Sequence, residues 1–299
     1  MNVRRVAVTG GSGLIGRALL GALRAAGWSV LTIGRGAGSD VRWDPSSGTL
    51  DARALDGTSA VVHLAGEPIA VRWTEARRRL IMESRTSGTA LLAHTIAALS
   101  PRPLAFVSAS AIGYYGEGGE SWLDEGQAHG EGFLASVCVA WERAADAARD
   151  AGIRVVHPRL GVVLATDGGA LAKLLPPFRL GLGGPVGSGA QWMSWISRAD
   201  TVRAIVAMLD DATLDGAVNV VAPEPVTNAA FTKTLGHVLH RPAIIPVPAI
   251  ALRTAFGEMA EQTLLVSQRV RPARLQRAGF AWEQPSLEGA LRAALRERA

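Results

Sequence analysis

Val6-Ala7-Val8, followed by Thr9-Gly10-Gly11-Ser12-Gly13-Leu14-Ile15-Gly16, is the stretch whose reading decides the fold. A short apolar strand runs here into a glycine turn. From Gly16 to Ala26, Leu19, Leu20 and Leu23 recur on one helical face, and Gly27 is placed as the stop. Val30 to Ile33 is a second apolar strand, ending at Gly34-Arg35-Gly36. Strand, turn, helix, strand is a βαβ unit, whose right-handed crossover makes the strands parallel. The glycines at 10, 13 and 16 each meet a physical need. The first permits a tight turn, the second lets backbone approach a pyrophosphate, and the third allows close helix–sheet contact, with the anion at the helix N-terminus. A dinucleotide site built from Thr9, Gly10, Gly11, Ser12, Gly13, Leu14, Ile15 and Gly16 is the expectation.

The alternation continues along the chain. Ala60 to Leu64 and Leu104 to Ser108 read as strands, Glu75 to Ala98 as a helix, and Phe133 to Ala151 as another helix leading into a strand from Arg154 to His157. Short apolar strands without polar alternation fit a sheet covered on both sides. The fold class is therefore α/β, a Rossmann-type doubly wound parallel sheet. The stretches after Ser110 and Gly161 read as long loops suited to ligand walls. Beyond Pro223 the character changes, with helices over Thr227 to Leu239, from Ala249, and over Leu287 to Leu295. This divides the chain into a dinucleotide-binding domain with its pocket loops (1–222) and a small helical lobe completing the substrate site (223–299).

Composition narrows the function. Apolar residues make up 48% and charged residues 19% of the 299, so the chain can bury a large core. The formal charge of +5 is nearly all arginine, since Lys173 and Lys233 are the only lysines. That suits an anionic ligand, while the lack of a dense basic tract argues against nucleic acid. One cysteine, Cys138, excludes an intrachain disulfide, and the histidines and acids show no metal-ligand spacing. No apolar run reaches membrane-spanning length and no signal-peptide layout precedes the first strand. A cytoplasmic protein is expected, with no membrane partner, and its solvent-exposed helices are compatible with a homodimer.

An acid at the end of the second strand would grip an adenosine ribose diol. Here Arg35 stands instead, with planar donors suited to a 2′-phosphate, which favours NADP over NAD. The alternative is a solvated Arg35, with Asp40 or Asp44 reaching the ribose from the loop. Leu64, Ala65 and Gly66 close the third strand, where small residues let the cofactor lie against backbone.

TGGSGLIG (9–16), HLAGEPI (63–69), VSASAIGYYG (107–116), FLASVCVAWE (133–142) and PRLGVVLATDGGALAKLLPPFRLGLGGPVGSGAQWMSWI (158–196) together carry a resemblance. Over essentially its whole length the chain resembles an atypical branch of the extended short-chain dehydrogenase/reductases, the small sugar-nucleotide-epimerase-like family with a short C-terminal domain of its own. The resemblance implies an NADP-binding Rossmann domain and a C-terminal substrate lobe. In typical members a serine after the fourth strand polarises the substrate oxygen. A tyrosine four residues before a lysine moves the proton, and the lysine lowers that tyrosine's pKa and holds the nicotinamide ribose. Ser110 falls at the serine position, but Leu134 and Cys138 occupy those of tyrosine and lysine. Leucine has no proton to give and cysteine carries no cation.

Tyr114 and Tyr115, the only tyrosines, sit in a glycine-flanked loop just after Ser110. They are the alternative catalytic acids, or else aromatic walls with hydroxyls tied to backbone. Cys138 reads as packing, Glu142 as a loop anchor, and His63 as a structural hydrogen bonder or a ligand contact. Arg159 is a possible anion partner. Pro176 to Trp195 is expected to floor and cover the substrate pocket, with Arg179, Gln191 and Trp192 as contacts for a small polar substrate. Two functions stay open: an NADP-dependent oxidoreductase or epimerase-like enzyme, and a non-catalytic NADP-binding sensor or interaction protein.

Overall fold

The computed structural model describes residues 4–297. The first half runs β1 (Arg5–Thr9), α1 (Leu14–Ala25), β2 (Ser29–Gly34), β3 (Val41–Asp44), β4 (Thr49–Leu50), β5 (Ala60–His63), α2 (Glu75–Ala97), β6 (Ala105–Ser108) and β7 (Ser110–Ala111). A 3-10 turn, Ile112–Tyr115, follows. Next come β8 (Trp122–Leu123), α3 (Phe133–Arg143), α4 (Asp146–Asp150), β9 (Arg154–Leu160), β10 (Val162–Leu164), α5 (Gly169–Arg179), β11 (Trp192–Met193) and β12 (Trp195–Ser197). The chain then forms α6 (Arg198–Asp210), β13 (Gly216–Val220), β14 (Val226–Thr227), α7 (Asn228–Leu239), α8 (Ala249–Phe256) and α9 (Glu258–Thr263). It closes with β15 (Arg269–Val270), α10 (Ala273–Arg277) and α11 (Leu287–Arg296).

Nine strands form the main sheet in the order β13-β9-β6-β5-β1-β2-β3-β4, with β7 continuing along β9. Every pairing is parallel except β3 with β4, so the expected parallel sheet carries one antiparallel edge. Strand order reverses between β1 and β5, which opens a crevice at the carboxyl ends of the strands. Successive residues of β1 serve opposite faces. Val6 and Val8 pack with Leu19 and Leu23 of α1 and Met208 of α6, while Ala7 joins Leu92 and Ile96 of α2. Both faces are covered, as the unalternating strands require.

A smaller lobe has its own core of Phe231 and Leu235 from α7 and Leu287 and Leu291 from α11. It also draws on Leu171, Leu175 and Phe178 of α5 and on Trp195 of β12. The α5 segment is a helix where the sequence reads as a loop. Its buried residues recur at helical spacing, and Pro176 and Pro177 lie in its last turns. The expected helix over 133–151 divides at Ala144-Ala145, where Ala145 N–H bonds to the Glu142 carbonyl in a tighter turn. No helix among the described residues is long and apolar enough to cross a membrane.

One buried polar contact sets the crevice. Thr9 stands opposite His63 across the β1–β5 pairing. Its hydroxyl accepts from Leu64 N–H at 3.1 Å and donates to His63 Nδ1 at 2.6 Å, which leaves the imidazole proton on Nε2 without a partner. Burial, with the nearby Arg85 charge, pushes the His63 pKa down to about 3. Between that value and the ordinary 6.5 the unfolded chain binds the extra proton, so the His63 contribution favours unfolding progressively as pH falls through this window. We expect His63→Gln to flatten the pH dependence of the urea-unfolding free energy between pH 6.5 and 4 by roughly 1 kcal/mol per pH unit. Parallel profiles for the two proteins would contradict it.

Candidate active site

The glycine turn leaves β1 through Gly10, whose φ is +70°; a Cβ there would lie 2.8 Å from the Leu64 carbonyl carbon. At Gly16 a Cβ would collide with the Gly10 carbonyl. Both approaches therefore demand glycine. Gly13 caps α1 with extended backbone and no side-chain bond, and the first turn carries no acid. The opening N–H groups of α1 are thus left for an anion, beside exposed Ser12 and Gly13. Leu14 and Ile15 begin the helix, and Leu14 meets Gly168 and Gly169 at the start of α5. Arg17 binds Asp167 at 2.9 Å and ties that second wall to the cradle. Thr9 is fully buried, so it shapes the cradle and does not line it.

At the end of β2, Arg35 is exposed and makes no hydrogen bond or ion pair among the described residues. Both acids that compete with it are engaged. Asp40 accepts from the Thr32 N–H at 2.8 Å and hydroxyl at 2.7 Å, and these bonds hold its carboxyl below the ordinary range. Asp44 accepts from the Ser46 hydroxyl at 2.6 Å and N–H at 3.0 Å, with the same effect. In each acid both bonds fall on one carboxylate oxygen, which fixes the group against its own loop and leaves the second oxygen open.

Ser110, Tyr115 and Arg159 join one buried network. Ser110 donates to Glu142 at 2.7 Å. Glu142 receives both Nε and Nη2 of Arg159, at 2.8 and 2.9 Å. Burial raises the Glu142 pKa, but the bonds and charge of Arg159 outweigh it and hold the carboxyl below its usual range. Arg159 Nη1 donates to the Tyr115 hydroxyl at 3.1 Å, which itself donates to Asn219 at 2.8 Å. Burial pushes the Tyr115 phenol up to about 12. Tyr114 is only half-buried, with its ring 3.4 Å from the Arg159 guanidinium carbon, and its hydroxyl has no protein partner among the described residues. Cys138 is buried with its thiol on the Ala111 carbonyl at 3.6 Å, and burial pushes it up to about 11.

A cavity of about 400 Å³ opens where the 3-10 turn, the start of α3 and α9 meet. Leu134 lines it among Gly113, Glu117, Glu131 and Gln262. Ser110, Tyr114 and Tyr115 are not among its lining residues, and neither are Arg179, Gln191 and Trp192. Arg179 is exposed at the end of α5, and the Gln191 amide donates to the Val186 and Leu264 carbonyls. The Trp192 indole N–H donates to Glu120 at 2.7 Å, under the Arg269 guanidinium. His129 bonds only to its neighbour's carbonyl.

The walls that sequence reasoning misses come from the lobe. Gln262 accepts from Leu134 N–H at 2.9 Å at the opening of α3. Gln268 donates to the Ile112 and Gly116 carbonyls, clamping the tyrosine turn from both ends. No local pattern marks either residue. Among the described residues no group of three or more His, Cys, Asp or Glu side chains gathers as metal ligands.

Residues 6–221 match the model of the NAD dependent epimerase/dehydratase family, and residues 247–294 match a domain of unknown function, DUF1731. The chain is 44% identical over 290 residues to the epimerase family protein Mb2239 of Mycobacterium bovis, covering 96% of each. It is 34% identical over 301 residues to the epimerase family protein YfhF of Bacillus subtilis, covering 98% of each. The crystal structure of human epimerase family protein SDR39U1 (isoform 2) with NADPH superposes with a TM-score of 0.89 at 36% identity, covering 98% of this chain and 99% of that one. With both lobes matched and the glycine cradle intact, the chain belongs to the NAD dependent epimerase/dehydratase family, in the group that carries the DUF1731 domain.

Proposed function

We propose that this protein binds NADP and acts as an oxidoreductase or epimerase-like enzyme on a small polar, hydroxyl-bearing substrate of the sugar-nucleotide kind. The observation that carries the reading is the uncapped opening of α1 inside the Gly10–Gly16 cradle, beside an Arg35 with no protein partner. The residues present fit the nucleotide: the cradle takes the pyrophosphate, Arg35 the 2′-phosphate, and the Leu64–Gly66 backbone the adjoining surface. Human SDR39U1, crystallised with NADPH, supports the same choice. Bound NADP would supply the hydride donor and acceptor.

The chain's own groups then have defined tasks. The Ser110 proton is committed to an ionised Glu142, so toward substrate Ser110 offers lone pairs and receives a hydroxyl. Tyr115 is locked between Arg159 and Asn219 and braces the turn. Tyr114 is the tyrosine left to exchange a proton. In this reading residues 1–222 hold the cofactor and 223–299 complete the substrate wall, with Gln262 and Glu117 as polar contacts in place of Arg179, Gln191 and Trp192.

The setting proposed is cytoplasmic, with a homodimer as the working assembly. Nucleic acid is not a partner in this reading, because many arginines, Arg17, Arg198, Arg203 and Arg271 among them, are already in ion pairs. The loss of tyrosine and lysine at 134 and 138 favours a second reading, an NADP sensor without catalysis.

Two experiments test this. In a fluorescence titration, Arg35→Ala should weaken NADPH binding about tenfold, the worth of one charge-assisted contact, and leave NADH binding unchanged. Equal binding of NADPH by both proteins removes Arg35 from the site. With 4-deuterated NADPH and a panel of oxidised nucleoside-diphosphate sugars, deuterium should enter one substrate. Tyr114→Phe should slow that transfer at least about tenfold without changing stability, as expected for a lost proton-transfer group. Tyr115→Phe should instead lower unfolding free energy by about 2 kcal/mol through its two stranded partners. Tight NADPH binding without any deuterium transfer would select the sensor.

A further inference from the structure

Arg85 on α2 is a half-buried cation with no carboxylate within ion-pair distance among the described residues. Its Nη1 donates to the Ile81 carbonyl at 3.2 Å and to Ser84 Oγ at 3.4 Å, and its Nη2 donates to the Glu67 carbonyl at 3.1 Å. Of the five guanidinium N–H groups, Nε–H and one on Nη2 therefore have no protein acceptor. A buried charge is ordinarily paired, because its desolvation is otherwise uncompensated. Burial accordingly lowers the Arg85 pKa. The neutral acceptors hold the group in place, and the fields of Cys138 and Glu67 offset the burial only in part.

Its position is specific. A Cβ on Gly66 would lie 3.3 Å from the guanidinium carbon, so the cation lies against the strand-end segment Leu64–Gly66. On its other side is the Trp141 ring of α3, 5.1 Å away. Its charge acts on both His63 and Cys138. Arg35 stands beyond β2, on one side of β1, and Gly66 follows β5 on the other. A dinucleotide with its pyrophosphate at α1 and its 2′-phosphate at Arg35 must extend its second half toward β5.

We propose that Arg85 is the positioning cation for the nicotinamide half of the cofactor, delivered from α2 to the place where position 138 of α3 offers only a thiol. Its two unclaimed N–H groups take oxygen atoms of the nicotinamide-side sugar and phosphate. This rests on the NADP reading above and assigns the half of the nucleotide that Arg35 does not reach.

The test separates the two halves. Wild type, Arg85→Gln, Arg85→Lys and Arg35→Ala are titrated with NADPH and with 2′,5′-ADP, which lacks the nicotinamide half. Thermal melts without ligand check folding. Arg85→Gln should weaken NADPH at least about tenfold and 2′,5′-ADP less than about twofold, on the scale of a charge-assisted contact. Arg85→Lys should restore most of the NADPH affinity, and Arg35→Ala should weaken both ligands. Equal weakening of both ligands by Arg85→Gln would make Arg85 structural and overturn the assignment, as would unchanged NADPH binding. Should Arg85→Gln fail to fold, Arg85→Met takes its place with the same outcomes: selective weakening of NADPH supports the assignment, and equal weakening of both ligands or none overturns it. If wild type binds neither nucleotide, the NADP reading falls and this assignment with it.

Discussion

At the carboxyl ends of β1 and β5 two backbone segments come closer than any side chain would permit. Gly10 faces Leu64 and Ala65 with no room for a Cβ, and the Thr9 hydroxyl bridges the same two strands from beneath. The close approach has a cost. It buries an imidazole whose Nε2 finds no partner, a penalty of about 1–3 kcal/mol. What is gained is a rigid crevice at the point where strand order reverses, with the uncapped end of α1 aimed across it. The helix N-terminus binds an anion well only if neighbouring backbone does not intrude, and the glycine contacts keep that space open.

On the β6 and β9 side of the crevice the polar groups are organised by charge. Ser110, Glu142, Arg159, Tyr115 and Asn219 form a continuous chain of donors and acceptors. Removing either member of a buried ion pair strands the other, at about 3–5 kcal/mol, so these residues behave as one unit. Their rigidity limits the chemistry. A serine committed to a carboxylate does not polarise a carbonyl, and a phenol raised to about 12 and doubly bonded is a poor proton donor. In the proposed enzyme proton exchange falls to groups at the network's edge, of which Tyr114, stacked on Arg159, is the nearest.

Much of this is legible locally and much is not. The β1 turn and α1 can be read because strand, glycine spacing and helix lie within twenty-odd residues and each obeys its own periodicity. The α5 segment is misread because Pro176-Pro177 suggests a break, although Leu171, Leu175 and Phe178 keep a helical face. Ser110 and the tyrosines can be singled out by position. Their states cannot, because these depend on Glu142 and Arg159, brought together by the packing of α3 on the tyrosine turn and on β7, which pairs with β9. Arg85 carries no sequence signal at all: it is one of several arginines on α2, distinguished only by burial and by the lack of a carboxylate. Gln262 and Gln268 are equally silent, being uncharged residues whose partners are distant in the chain.

Those silent residues assign the two lobes different work. The glycine cradle is built from β1 and α1 and leans on Leu64, Ala65 and the Asp167–Gly169 wall, so it draws little on the C-terminal segment. The cavity proposed for the substrate has no such independence. Its α3 wall meets Gln262 at the opening N–H groups, and its tyrosine turn is held by Gln268. The same segment reaches β11 through Ser267 and β8 through the β15 pairing. Further along, the buried Asp200 carboxylate accepts the backbone N–H groups of Glu283 and Gln284 and fastens the chain to α6 before α11. A change in residues 258–271 therefore bears on the cavity wall and the tyrosine turn together while leaving the cradle in place. The charge network is not insulated from that segment, because Asn219 Nδ2 donates to the Arg271 carbonyl, whereas the close backbone contact at Gly10 involves none of it.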